Sequence, residues 1–270
     1  MIFAGRIFFY LFFSCMLAVS VLTASCASIK PAFHSAHLSD NKEIVRPGPK
    51  ADAYYHFLMG QIYQQRGQLE KSLDEYRRAL EGDPSSAYLH SHMAAIYLKQ
   101  GQPEKALQQA EKAIETDPRN VSAYLLLAGL YLSLNQREKA VQTYQKILEF
   151  DPRNQEALLF LGTLYAEEKK YDQAVSQLKA LVEIDPNSLM GHYYLARVYA
   201  EMKSYEEARA EYDSALKIRP HFEPALMDLA LIYEIQQEPE KAIQSLKEAL
   251  TFNPSNAEAH ERLGQLYIRQ

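Results

Sequence analysis

Proline recurs at 84, 118, 152, 186, 220 and 254, each 34 residues after the one before. Tyrosine keeps the same interval, at 63, 97, 131, 165, 199, 233 and 267. No insertion or deletion breaks this register. A chain so constrained folds as stacked, near-identical units, because each unit has to offer the next one the same surface.

With the proline placed at position 32, the units begin at residues 53, 87, 121, 155, 189, 223 and 257. Positions 4, 7, 8 and 11 are mostly apolar or small, as in Leu158, Leu161, Gly162 and Tyr165. That spacing is one face of a helix. Positions 20, 24 and 27 make a second stripe, as in Ala174, Leu178 and Leu181, so each unit holds two helices. Position 8 is only Gly or Ala, and position 20 is Ala except for Ser72. Small residues at both places predict a close approach of the two helices, which a larger side chain would overpack.

The boundaries follow from local chemistry. Proline at position 32 ends the second helix. Ser86, Asn120, Asn154, Ser188 and Asn256 stand where they can cap the next first helix. Gly67 and Gly101 fall in the turn inside a unit. One junction departs: in IRPHFEPAL, Phe222 takes the cap position and Pro224 is placed to start the helix.

This pattern resembles the tetratricopeptide repeat over residues 51–270, as six full repeats and the first helix of a seventh. The resemblance implies an all-α fold, a right-handed α-solenoid of helix-turn-helix repeats with first helices lining a concave groove. The family's Trp-like position 4 is here His56, His90, Tyr124, Leu158, His192, Leu226 and His260. The family implies protein or peptide binding, and its groove positions 2, 5, 9 and 12 map onto this chain. They give a candidate peptide-binding set of Phe57, Leu98, Leu125, Leu132, Leu159, Met190, Tyr193, Arg197, Met227 and Leu231.

The family's clamp for a C-terminal carboxylate needs Lys, Arg and Asn at positions 5 and 9 of successive first helices. The first three repeats hold Phe57, Gln61, Ser91, Ala95, Leu125 and Gly129 there, so that clamp is excluded. An apolar groove suits an amphipathic helix or an extended hydrophobic segment. The competing reading is that these residues pack between neighbouring repeats and leave little exposed. On the groove reading, Leu125→Asp with Leu159→Asp abolishes partner capture and leaves helicity intact.

A formal net charge of -5 argues against nucleic-acid binding through a general positive field. His90 and His92, at i and i+2 on a helix, point apart and make a poor metal pair. His34 and His37 lie where nothing preorganises them. The repeats contain no HExxH, P-loop, GxSxG or cysteine nucleophile. The expectation is a protein that is not an enzyme, with no cofactor, metal or small-molecule substrate.

Both cysteines, Cys15 and Cys26, precede the repeats. Arg6 is followed by an uncharged run from Ile7 to Ile29, an apolar core behind a positive charge as in a secretory signal. Within it, LTASC at Leu22–Cys26 resembles the lipobox of bacterial lipoproteins. The resemblance implies a signal peptide over 1–25, cleavage before Cys26, acylation of Cys26 and a membrane held through that lipid anchor. Ala27 and Ser28, with no Asp after the cysteine, imply the outer membrane, facing the periplasm. Two other readings stay open: an uncut signal anchor, since the run is long enough to span a bilayer, and an ordinary cleaved signal with Cys26 incidental.

Residues 26–50 carry Pro31, Pro47, Gly48 and Pro49 without sustained periodicity and read as a flexible tether. Its reach is roughly 25–30 Å. Lipobox and repeats together resemble the pilotin-type lipoproteins of type IV pilus biogenesis. The functional expectation is a scaffold or assembly factor at the bacterial cell envelope. The alternatives are the docking region of a longer envelope enzyme or sensor, and an adaptor for polysaccharide-export or cell-wall enzymes. The last helix, with Leu263, Leu266, Tyr267 and Ile268, is a cap in itself, is covered by a partner, or continues into residues beyond Gln270.

Overall fold

The computed structural model describes residues 49–269, and those residues form thirteen α-helices with no strand among them. First helices are α1 (Pro49–Gln65), α3 (Ala87–Lys99), α5 (Val121–Ser133), α7 (Gln155–Glu167), α9 (Leu189–Glu201), α11 (Glu223–Ile235) and α13 (Ala257–Arg269). Second helices are α2 (Leu69–Gly82), α4 (Pro103–Thr116), α6 (Arg137–Phe150), α8 (Tyr171–Ile184), α10 (Tyr205–Ile218) and α12 (Pro239–Phe252). The segment holding Cys15, Cys26, His34 and His37 lies outside the described residues, and so do the expected signal, anchor and most of the tether.

The small positions sit where the helices of a pair meet. Ala94, Ala128, Ala196 and Ala230 at position 8 are fully buried against Ala106, Ala140, Ala208 and Ala242 at position 20, equally buried. Gly60 lies under the Tyr76 ring, and a Cβ there would stand 2.4 Å from Tyr76 Cε1. Gly162 lies under Leu178 in the same way, at 2.7 Å. The exceptional Ser72 is also buried, and its hydroxyl donates to the Gly60 carbonyl at 2.7 Å, which satisfies a polar group the core would otherwise strand.

Turns between repeats are uniform. The backbone N–H of position 34 donates to the carbonyl of position 31 in all six, for example Asn120 to Asp117 at 3.0 Å and Asn154 to Asp151 at 3.1 Å. Proline thus takes the second place of a β-turn, where its fixed φ is already correct. Asn120, Asn154 and Ser188 cap as expected, accepting from the N–H of Ala123, Ala157 and Gly191. Asn256 does the same for Ala259. Ser86 has cap backbone geometry but its side chain makes no cap hydrogen bond. At Phe222 there is no side-chain cap, and Pro224 stands in the first turn of α11.

Within each repeat the first helix ends in one motif. Position 15 has positive φ in all six turns: Gly67, Gly101, Asn135, Lys169, Lys203 and Gln237. The N–H of position 16 donates to the carbonyl of the position-11 tyrosine, as from Gln68 to Tyr63 and from Lys170 to Tyr165. That is the Schellman arrangement, in which a left-handed residue closes the helix. Four of the six residues in it are not glycine, so the backbone conformation is imposed by packing and not by local freedom.

Positions 3 and 10 join the core as well. Leu89 and Ile96, Ala123 and Leu130, Ala157 and Leu164 are all buried. The equivalent Tyr55 and Ile62 of α1 are exposed, because no described helix precedes α1. The tyrosines of position 11 add a contact between repeats: Tyr97 accepts from Arg77 and Tyr165 from Gln145, each donor sitting on the preceding second helix.

Candidate functional site: the inner face of the first helices

First helices of adjacent repeats touch one another, at α3 with α5, α7 with α9 and α9 with α11, whereas no pair of second helices packs comparably. The first helices therefore lie on the inner side of the stack, and the side chains that meet there define its face. At the start, Phe57 on α1 meets Tyr88 on α3 edge to face at 5.4 Å, and Tyr88 lies 4.4 Å from His92. Tyr54 adds a fourth ring, 6.2 Å from Phe57. Tyr54 and Tyr88 are 62% and 52% exposed, so the cluster is open to solvent on one side. Desolvation lowers the His92 pKa below its ordinary value, which leaves a neutral imidazole among these rings.

Toward the other end, Arg197 on α9 lies 3.9 Å from the Asp228 carboxylate on α11 and 5.7 Å from the Tyr193 ring. Tyr212 on α10 donates to Asp228 at 3.2 Å. Burial pushes the Asp228 pKa up, while Arg197 and the hydroxyls of Tyr212 and Tyr193 pull it back. Burial also raises Tyr193 and Tyr212. Arg262 on α13 reaches Glu234 through its Nη2 and Nε, and donates to the Met227 carbonyl at 3.1 Å. Arg137 pairs with Glu167.

The ten residues expected in the groove have unequal fates. Leu125, Leu132, Leu159, Met190 and Tyr193 are half-buried and pack against the central core. Phe57 packs against the core of the first repeats. Met227 is only 9% exposed and belongs to the last core cluster. It is a core residue, a correction to its place in the groove set, because its side chain packs in the cluster with Leu226, Ala230 and Leu246. Leu98 is exposed at 36%, and Leu231 and Arg197 are half-buried. Packing between repeats thus consumes much of the apolar strip. Asp at Leu125 and Leu159 would disturb the core as well as the surface, so helicity is not expected to survive that pair intact.

Position 6 is not among the groove positions 2, 5, 9 and 12 that the family resemblance implies. It supplies His92, Asp228 and Arg262 to the inner face, and position 13 supplies Glu167. The signal was present as charged residues on otherwise apolar helices, but their partners lie 28 to 31 residues away and only the stack brings them together.

The position-4 histidines are structural. His56, His90 and His192 each turn Nδ1 to the residue 19 places on: Glu75 at 2.6 Å, Gln109 at 2.8 Å and Glu211 at 2.5 Å. They pin the first helix to the second. Among the described residues no group of three or more His, Cys, Asp or Glu is placed to hold a metal ion. No described helix is long and apolar enough to cross a membrane.

Comparison with known families agrees with this geometry. A model described as tetratricopeptide repeat matches residues 97–159, and one described as TPR repeat matches 60–101 and 232–270. The chain is a tetratricopeptide-repeat protein. A third model, anaphase-promoting complex, cyclosome, subunit 3, matches residues 135–215 of the tetratricopeptide array. No curated protein matches the chain. Among solved structures, YrrB, described as a TPR protein with an unusual peptide-binding site, is 28% identical, with 66% of this chain and 91% of that chain covered at a TM-score of 0.55. The pilF protein of Pseudomonas aeruginosa is 22% identical, with 81% and 100% covered at 0.66. The C-terminal part of a TPR repeat-containing protein from Cytophaga hutchinsonii is 19% identical, with 77% and 86% covered at 0.67. The last two show likeness of fold alone.

Proposed function

We propose that this tetratricopeptide-repeat protein is a non-catalytic interaction scaffold that holds an apolar or amphipathic segment of a protein partner on its inner face. The observation that carries the reading is the solvent-open aromatic cluster of Tyr54, Phe57 and Tyr88, with Leu98 exposed further along α3. Exposed apolar surface of this kind is costly to leave in water unless a partner covers it. Aromatic side chains give large contact area for little lost freedom. The peptide-binding site named for YrrB supports the same use of the fold.

The cellular setting we propose is the bacterial envelope, with Cys26 acylated after cleavage of residues 1–25 and residues 26–50 as the tether from an outer-membrane lipid anchor to the repeats. This rests on the LTASC sequence and the apolar run before it.

Photo-crosslinking tests the groove. A crosslinker at Tyr88 or Leu98 should trap one partner that a crosslinker at Lys112, exposed on second helix α4, does not. Equal trapping from both faces removes the inner face from consideration. The mass of the mature N-terminal peptide, with Cys26→Ser as control, tests the anchor separately. An intact Met1 or an unacylated Cys26 rejects it.

A further inference from the structure

The inner face is electrically uneven along its length. At positions 2, 5, 6, 9, 12 and 13, helices α1, α3 and α5 hold no carboxylate and a single cation, Lys99. The same positions of α7, α9 and α11 hold five carboxylates, Glu156, Glu167, Glu201, Asp228 and Glu234, against one arginine, Arg197. Arg197 is already matched with Asp228, Glu234 with Arg262, and Glu167 with Arg137. Glu156 and Glu201 are exposed and have no cation within ion-pair distance among the described residues.

We infer that the partner segment is of uneven charge, with an apolar or aromatic stretch on α1, α3 and α5 and Lys or Arg side chains set against Glu156 and Glu201. This rests on the inner-face reading above and gives it chemistry and direction. The aromatic end supplies contact area, the free carboxylates supply attraction, and Lys99 at the apolar end repels the same basic group if the segment lies reversed. An acidic or uncharged segment would leave Glu156 and Glu201 unanswered.

The test uses the full chain and two fluorescent synthetic peptides that share one Phe- and Leu-containing half. One continues in lysines, the other in glutamates. Anisotropy should show the lysine peptide binding at least about five- to tenfold more tightly, with affinity falling as salt rises. Glu156→Gln with Glu201→Gln should remove most of that preference and of the salt dependence, while Leu98→Asp weakens both peptides. Equal binding of both peptides that Leu98→Asp abolishes overturns the charge inference and leaves the groove reading standing. Binding of neither peptide overturns both. A lysine peptide that responds to the glutamate variants but not to Leu98→Asp also overturns the proposal, because charge alone would then carry the contact.

Discussion

Arg197 and Asp228 face each other across two successive first helices, 3.9 Å apart, with side chains only 17% and 19% exposed. With Tyr212 donating to the same carboxylate, one acidic group ties α9, α10 and α11 together. Asp228→Ala should lower stability by about 1–3 kcal/mol, because it removes the carboxylate that Arg197 and the buried Tyr212 hydroxyl share. Asp228→Asn should cost less, since an acceptor for Tyr212 remains. Arg197→Met combined with Asp228→Leu should recover much of the loss. Urea denaturation midpoints of the four proteins check this, and a double variant weaker than Asp228→Ala would contradict it.

Two glycines in first helices should respond oppositely to alanine. At Gly60 the new Cβ meets the Tyr76 ring at 2.4 Å, and the ring is held by its hydrogen bond to Gln64 at 2.9 Å. Gly60→Ala should therefore be net destabilising, since overpacking costs about 1–3 kcal/mol against about 1 kcal/mol gained in helix propensity. At Gly129 a Cβ meets nothing within 4 Å. Gly129→Ala should stabilise by about 0.5–1 kcal/mol. Thermal midpoints moving in the same direction would reject the argument.

The left-handed turns make a second paired comparison. Lys203 has φ 61° and Gly101 has φ 69° at equivalent positions. Gly101→Ala should cost about 1 kcal/mol, whereas Lys203→Gly should be neutral to mildly stabilising, because relief of the strained φ offsets the entropy glycine gains when unfolded. A clear loss of stability in Lys203→Gly would show that the lysine side chain, and not its backbone, matters there.

His92 supplies a pH dependence with a defined sign. Its pKa is lowered in the fold by desolvation, so the unfolded chain binds a proton more readily. The stability it permits is complete above the ordinary imidazole value of about 6.5 and is lost as pH falls through its lower value in the fold. His92→Phe should flatten that part of the profile. Thermal midpoints taken between neutral pH and mild acid distinguish the two proteins, and parallel profiles would show that the aromatic cluster does not disfavour the charged ring.

The sequence by itself determined the repeat, the helix pairs and their ends. A strict interval needs no tertiary information to be seen, and Pro118, Asn120 and their equivalents act through bonds only three residues long. It also marked Gly60, Ala94 and Ser72 as a close contact, because only small residues recur where two backbones approach. Only the tertiary structure decided what remains on the inner face. Met227 went into the core, Leu125 and Leu159 are shared between groove and packing, and Tyr88 stayed in water. Those outcomes depend on the neighbouring repeat, whose side chains sit about one repeat length away along the chain. The pairing of Arg197 with Asp228 and of Glu234 with Arg262 was hidden for the same reason: charge is visible in a sequence, but whether it is already neutralised depends on which helix lies opposite.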